Sequence, residues 1–375
     1  MKALLLSAYA ARSHLHWQHS LVAMASSWQW RQLSLPPRHF SWRVRGNPLY
    51  WSQVERTALA EPYDVLVATS MVDLATLRGL VPSLGSVPAL LYFHENQFAY
   101  PAQAHQSSLL EAQMVSLYAA LAADALAFNS AYNRDSFVDG VDALLTRLPD
   151  RVPPGIPQQL RDKALVLPVP IDLEVTTATT ATWPGAQGAP GQRPLRLLWS
   201  GRFEHDKGGE GLLRLLQRLE GQGTAYELAL TGQQFRRSPA VFAQIQREFR
   251  HRLVHFGFVE SADYLRALRG EADLVLSTAL HEFQGLAVLE AVAAGCLPVV
   301  PDRLSYPEIY PPRFRYASRP LEPEAEAAAA AALVRQLAAT LARGTAPVPD
   351  ISAYGQAALQ PRYQALLTRL AGLPG

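Results

Sequence analysis

Short apolar runs ending in turn-forming or polar residues recur through the first half of the chain: Ala3–Ala8, Asp64–Ser70, Ala89–His94, Ala125–Ser130 and Ala164–Ile171. Between most of them lie longer segments with helical periodicity, such as Ser107–Ala123. Strands alternating with helices predict a parallel sheet flanked by helices. Glu174–Pro194 then breaks the rhythm: it is rich in Thr, Ala, Gly and Pro, has no periodicity, and reads as a linker or loop. The pattern restarts with Leu195–Ser200, Tyr226–Thr231, Leu253–Val259, Ala272–Thr278 and Leu297–Pro301, with helices expected over Gly209–Gly221, Ser238–Arg250 and Ser261–Gly270. An alanine-rich helix near Glu324–Arg343 and a last one near Ala358–Ala371 close the chain.

The expected architecture is α/β, two Rossmann-like domains in tandem. The expected boundaries are an N-terminal domain over 1–173, a linker over 174–194, a C-terminal domain over 195–350, and a C-terminal helical segment over 351–375 that can pack back on the first domain. Sheets of this type bind ligands at the carboxyl ends of their strands, so two facing domains would enclose a cleft between two such edges. A length of 375 residues suits two cores, and 49% apolar residues exclude a disordered chain. The net charge of only +2 does not by itself announce a nucleic-acid binder. Cys296 is the only cysteine, which excludes an intramolecular disulfide and a cysteine-built metal site. The apolar run at Ala3–Leu6 is too short for a signal peptide, and no stretch approaches the roughly 20 apolar residues of a membrane span, so a cytoplasmic protein is expected.

The candidate chemistry gathers in three places. The run His281-Glu282-Phe283-Gln284-Gly285-Leu286-Ala287-Val288-Leu289-Glu290 follows a strand, and it sets one carboxylate at the strand end and another two turns into the next helix. Carboxylates accept charge-assisted hydrogen bonds from hydroxyls, and the helix N-terminus between them suits a phosphate. Upstream, an apolar strand delivers Ser200-Gly201-Arg202, and Lys207-Gly208 opens a helix. The planar fork of Arg202 and the compact charge of Lys207 could together hold a diphosphate; the spacing is not that of a Walker A loop. A surface salt-bridge cluster with Glu204 and Asp206 is the plainer alternative. In the first domain, His94-Glu95-Asn96-Gln97 directly follows a buried strand and lines the ligand edge of the sheet. Ser7–His14 forms the first strand-to-helix loop on that edge, with Ser13 as a candidate helix cap and His14 and Trp17 as packing residues. Asn129 and Ser130 are read as capping the helix that follows them. His94-Glu95 and His281-Glu282 do not extend into a zinc-binding HExxH, and no metal constellation stands out.

Arg202 and Lys207 followed by Glu282 and Glu290 resemble glycosyltransferase family 4, of the two-domain GT-B fold. A narrower resemblance spans nearly the whole chain. Leu5-Leu6-Ser7-Ala8-Tyr9 with Ser13-His14 and Trp17, Phe93-His94-Glu95-Asn96-Gln97 with Tyr100-Pro101, and Phe128-Asn129-Ser130 with Asn133-Arg134 are similar to the tRNA-queuosine α-mannosyltransferase family, also called the glycosyltransferase-like domain-containing protein 1 family. So are Pro168-Val169-Pro170-Ile171-Asp172, Glu204-His205-Asp206-Lys207, Ser277–Phe283 and Tyr306-Pro307-Glu308-Ile309.

The resemblance implies retaining transfer of mannose from GDP-mannose to the cyclopentene-diol of queuosine at the tRNA wobble position, without a metal or other cofactor. It implies that Arg202 and Lys207 bind the donor diphosphate with the segment Phe283, Gln284 and Gly285. Glu282 and His94 would meet the donor sugar, and Glu290 the nucleotide ribose. Ser7, His14, Glu95, Asn96, Gln97 and Asn129 would line the acceptor or sugar cleft. The usual family pattern Glu-Gly-Phe-Gly is here Glu282-Phe283-Gln284-Gly285. Arginines that could guide tRNA fall in an early group (Arg31, Arg38, Arg43, Arg45) and a later one (Arg236, Arg237, Arg247, Arg250, Arg252). Two alternatives stay open: a family 4 enzyme with a lipid-linked or small-molecule acceptor, and a non-catalytic nucleotide-sugar or tRNA-binding protein.

Overall fold

A computed structural model describes residues 1–99, 106–174, 182–234 and 238–372. Tyr100, Pro101, Arg236 and Arg237, singled out above, lie outside the described residues, as does part of the expected linker. The chain divides into two compact units, one formed by Met1–Pro170 with Gln356–Gly375, the other by Ile171–Gly355.

The first unit runs β1 (Lys2–Ser7), α1 (Arg12–Met24), β2 (Gln29–Ser34), α2 (Phe40–Val54), α3 (Arg56–Leu59), β3 (Val65–Thr69), α4 (Leu74–Leu80), β4 (Ala89–Phe93), α5 (Gln106–Ala122), β5 (Ala125–Phe128), α6 (Ala131–Thr146), α7 (Ile156–Asp162) and β6 (Ala164–Val166). All its strands pair in parallel, in the order β2-β1-β3-β4-β5-β6. The second unit runs β7 (Leu195–Ser200), α8 (Gly209–Gly221), β8 (Tyr226–Thr231), α9 (Ala240–Glu248), β9 (Leu253–Gly257), α10 (Ala262–Glu271), β10 (Leu274–Leu276), α11 (Leu286–Ala293), β11 (Leu297–Pro301), α12 (Tyr306–Ile309), β12 (Arg315–Tyr316) and α13 (Pro323–Ala342). Its sheet is also parallel, in the order β12-β11-β10-β7-β8-β9. The last helix, α14 (Gln356–Leu370), belongs to the first unit.

Parallel strands covered on both faces by helices need continuous apolar character rather than alternation. β3, β4 and β11 are buried at every position, as expected. β2 has no such signature. It is the edge strand of its sheet, exposed at Gln29, Arg31, Gln32 and Ser34, and therefore polar enough to be missed by an apolar-run criterion. The run expected over Ala164–Ile171 pairs only as far as Val166, because Pro168 and Pro170 cannot donate to a ladder.

Local details correct two expectations. α1 starts at Arg12 with Ala11 in the capping position and no side-chain cap, so Ser13 lies inside the helix. α6 is capped by Ser130 alone, whose hydroxyl accepts from the Asn133 N–H at 3.0 Å. In α2, Pro48 removes an intrahelical donor. The Asn47 amide takes its place, donating to the carbonyls of Arg43 and Val44 at 2.7 and 3.0 Å.

α14 is anchored to the first unit by polar contacts that fix its register. Gln360 and Gln364 donate to the last carbonyl of α1, Met24 O, at 3.3 and 2.7 Å. The buried Tyr363 hydroxyl accepts from the Trp17 indole N–H at 3.0 Å and donates to Pro168 O at 2.9 Å. Tyr363→Phe strands that indole N–H in the interior, a loss of about 1–3 kcal/mol by the usual cost of an unmet buried donor. Denaturant unfolding at fixed pH measures it; a change below about 0.5 kcal/mol would show that the contact is not needed.

Candidate functional site

The strand order of each sheet reverses at one place, and open parallel sheets bind ligands outside the carboxyl ends of the strands there. In the second unit the reversal lies between β7 and β10, whose paired residues are Leu274 with Leu197 and Leu276 with Trp199. The loops leaving these two strands carry Arg202 and Lys207 on one side and His281, Glu282 and Gly285 on the other.

The two loops are stitched together. The N–H groups of Leu280 and His281 both donate to Asp206 O, at 2.9 and 3.1 Å, and the Thr278 hydroxyl donates to Lys207 O at 3.2 Å. Gly208 has φ +69°, and a Cβ there would fall 1.8 Å from the Thr278 carbonyl oxygen, so only glycine allows this approach. The outcome is that Lys207 Nζ stands 3.0 Å from Glu282 Oε2 and 3.3 Å from Asp206 Oδ2, and donates to His281 O at 3.3 Å.

Burial opposes the charge on Lys207, but the carboxylates of Glu282 and Asp206 more than offset it and hold its pKa above the usual value. Burial likewise pushes Glu282 up, and the Lys207 ammonium with the Gly285 N–H pulls it below the ordinary carboxylate range. Both groups are therefore ionised near neutral pH. The neighbouring His281 is driven down to about 4, first by burial and then by Lys207, so its ring is neutral.

Gly285 initiates α11 with φ +74° and packs against the Tyr306 ring. Tyr306 is itself fixed by its hydroxyl, which donates to Ser277 Oγ at 2.6 Å. Lys207, Glu282, Gly285, Ala287 and Val288 line a small cavity at the start of this helix, where the first backbone N–H groups have no intrahelical acceptor. Phe283 and Gln284 are buried, Phe283 edge-on to His281 at 4.5 Å between ring centres. Arg202 is half exposed and pairs with Glu204 at 3.0 Å and Asp206 at 3.9 Å. Glu290 lies on α11 and pairs with Arg269 of α10 at 2.5 Å, a partner that sequence spacing could not suggest because it comes from another helix.

In the first unit the reversal lies between β1 and β3. Leu6 pairs with Ala68, so Ser7 and Thr69 end adjacent strands. Ser7 Oγ, Thr69 Oγ1 and His94 Nε2 are buried with no hydrogen-bond partner among the described residues. The sequence pointed to Ser7 and His94; Thr69 was missed, and only the register puts it beside Ser7. His94 stacks on His14 at 4.1 Å and meets the edges of Trp17 and Tyr92 at 5.0 and 4.8 Å. Burial, reinforced by His14 and His16, holds its pKa well below the ordinary imidazole value.

Residues 2–171 match a family model described as tRNA-queuosine alpha-mannosyltransferase N-terminal, and residues 185–339 match one described as glycosyl transferases group 1. A Drosophila melanogaster tRNA-queuosine alpha-mannosyltransferase is 35% identical over 284 residues, covering 76% of this chain and 74% of the fly protein. This chain belongs to the tRNA-queuosine α-mannosyltransferase family. Its fold is GT-B. It is similar to the crystal structure of Anabaena HepE in complex with UDP and glucose (TM-score 0.67, 15% identity, 98% of this chain and 100% of that one). It is likewise similar to a UDP-forming trehalose-phosphate synthase from Burkholderia xenovorans (TM-score 0.61, 12% identity, 98% and 99%).

Not every family-matching residue turns its polar atoms outward. Asn96 donates to Asn133 O, Asn133 Oδ1 and Ser136 Oγ at 2.9–3.0 Å, and accepts from the N–H groups of Phe98 and Ala99. Asn129 donates to His94 O at 2.8 Å and accepts from Asn133. These amides shape the loop that presents His94. Gln97 is buried, and its carbonyl accepts from Gln113 at 3.2 Å. Glu95 is half-buried, and its carbonyl accepts from the Ser70 hydroxyl. Among the described residues no group of three or more His, Cys, Asp or Glu could hold a metal ion, and no helix is long and apolar enough to cross a membrane.

The neutral state of His281 has a pH signature. Its imidazole, ordinarily titrating near 6.5, is held to about 4 in the folded chain. The unfolded chain therefore binds a proton that the folded chain refuses between those values. Stability falls as pH drops from 6.5 towards 4 and is fully present above 6.5. His281→Gln should lessen that loss in urea titrations across this window; an unchanged pH slope would refute the assignment.

Proposed function

We propose that this chain transfers mannose from GDP-mannose to the cyclopentene-diol of queuosine in tRNA, with retention at the anomeric carbon, in the cytoplasm. The observation that carries the reading is the Lys207–Glu282 pair at the β7/β10 reversal, beside the first turn of α11. A diphosphate brings two or more negative charges, and a fixed ammonium, a guanidinium and a helix N-terminus are the groups that hold it.

Lys207 and Arg202 bind the donor diphosphate. Lys207 comes already positioned by Glu282 and Asp206, while Arg202 exchanges its exposed contact with Glu204 for phosphate. Phe283, Gln284 and Gly285 let the backbone approach the phosphate and sugar. Glu282 Oε2 takes the Lys207 ammonium and Oε1 the Phe283 N–H, and the lone pairs that remain on the carboxylate accept from sugar hydroxyls. Glu290 holds the ribose hydroxyls, with Arg269 orienting it. In the first unit, His94 offers Nε2 of a neutral ring to a hydroxyl, with Ser7 and Thr69 beside it on the same edge.

Chemistry of this kind needs little acid–base help from the protein. The diphosphate leaves as the C1–O bond breaks, the acceptor hydroxyl attacks the same face, and a phosphate oxygen of the departing group takes the hydroxyl proton. The protein supplies orientation and stabilises the charge that develops on the leaving group. A glycosidase would need two carboxylates flanking the scissile bond, whereas Glu282 and Glu290 lie on one loop–helix unit and each already has a cationic partner.

Incubation with GDP-mannose and queuosine-containing tRNA, followed by mass spectrometry of the nucleosides, should show one added hexose on queuosine. Lys207→Ala or Arg202→Ala should reduce turnover on the order of 10²-fold, by analogy with loss of one preorganised donor. Failure to add hexose to that acceptor, or unchanged turnover in both variants, would overturn the reading.

A further inference from the structure

Residues 1–60 contain seven Lys or Arg and one acidic residue, Glu55, a net +6; the whole chain is +2, leaving the remainder at −4. The structure concentrates part of that excess around α2. Arg38, two residues before the helix, and Arg56, which opens α3 just beyond it, are exposed and form no ion pair among the described residues. Arg31 on the edge strand β2 is half exposed and only loosely paired with Glu55, at 4.0 Å. Arg45, by contrast, is used internally, bridging to Asp73 at 2.7 Å and Glu111 at 3.2 Å.

The same helix exposes rings. Trp42 is 57% and Tyr50 43% exposed, and Leu49 lies between them on the outer surface. Trp42 is laid along the helix: a Cβ at Gly46 would fall 2.4 Å from its indole, so the missing side chain makes room for the ring. The surface also reaches the functional edge of its own sheet. Leu35 N–H donates to Ser7 O and Ala10 N–H to Leu35 O, both at 2.9 Å, and Phe40 touches Tyr9 of the loop after β1. The start of α2 therefore adjoins the strand ends that carry Ser7 and His94.

We propose that the α2 surface, with Trp42, Tyr50, Arg31, Arg38 and Arg56, is where an unpaired stretch of the acceptor RNA docks. This rests on the tRNA acceptor proposed above and adds where the RNA lies. Exposed rings interleaved with exposed arginines, two of them outside any ion pair among the described residues, suit stacked single-stranded bases and their phosphates, whereas a duplex would hide the base faces. Phosphates supply the negative charge that this excess of arginine lacks within the chain. A fixed, unburied indole supplies a stacking platform that sequence-independent charge alone does not.

The full chain tests it, with queuosine-containing tRNA binding measured at two salt concentrations and KM determined separately for tRNA and for GDP-mannose. Trp42→Ala should weaken tRNA binding on the order of ten-fold with little change in salt dependence, as expected for a lost stack, and Trp42→Phe should restore most of it. Arg38→Ala should lower the salt slope by about 1. KM for GDP-mannose should not move in any of them, which separates docking from misfolding. Unaltered tRNA affinity in Trp42→Ala and Arg38→Ala, while the unmodified chain binds tRNA, overturns the surface alone. Binding of the chain to phosphatidylserine vesicles that is lost in these variants, with tRNA affinity intact, also overturns it and assigns the face to a membrane. An unmodified chain that neither binds nor glycosylates this tRNA overturns the functional reading and the surface with it.

Discussion

A charge placed where water is scarce must be answered by opposite charge or by dipoles, and removing either partner leaves the other at a cost of several kcal/mol. In the second unit this constraint falls on Lys207 and Glu282, 75 residues apart in sequence and 3.0 Å apart in space. Neither can be satisfied unless the loops after β7 and β10 meet, and they meet only because Gly208 admits the Thr278 carbonyl. The same contact positions the Gly285 turn and the start of α11. The Lys207–Glu282 pair, the Gly208 approach and the start of α11 are thus fixed by one set of contacts between two loops.

The first unit handles its polar edge differently. It places hydroxyls and an imidazole at adjacent strand ends, packs the imidazole against His14, Trp17 and Tyr92, and leaves selected atoms without partners among the described residues. Burial, with His14 and His16 beside it, disfavours the charged form of His94.

Much of this was legible in the sequence because its physical causes are local. Buried parallel strands announce themselves as apolar runs, and the residues after them fall at the ligand edge whatever the rest of the chain does. What escaped detection depends on distant partners. β2 is polar because it is an edge. Thr69 matters through its register with Ser7. Glu290 finds Arg269 across two helices, and Asn96 and Asn129 turn inward because Asn133, on α6, is there to receive them. Residue type at the end of a strand indicated the carboxyl edge of each sheet. It did not distinguish a side chain whose polar atom is left without a partner from one that holds the loop.

Because α14 belongs with residues 1–170 while residues 171–355 form a unit of their own, the second unit is an insertion within the first. During synthesis the first sheet leaves the ribosome early, yet Trp17 and the end of α1 wait for Tyr363, Gln360 and Gln364. The second unit, continuous in sequence, can complete its contacts before then. The nascent chain therefore finishes the earlier-made unit last, and a chain truncated before residue 356 holds the whole second unit beside an unfinished first one.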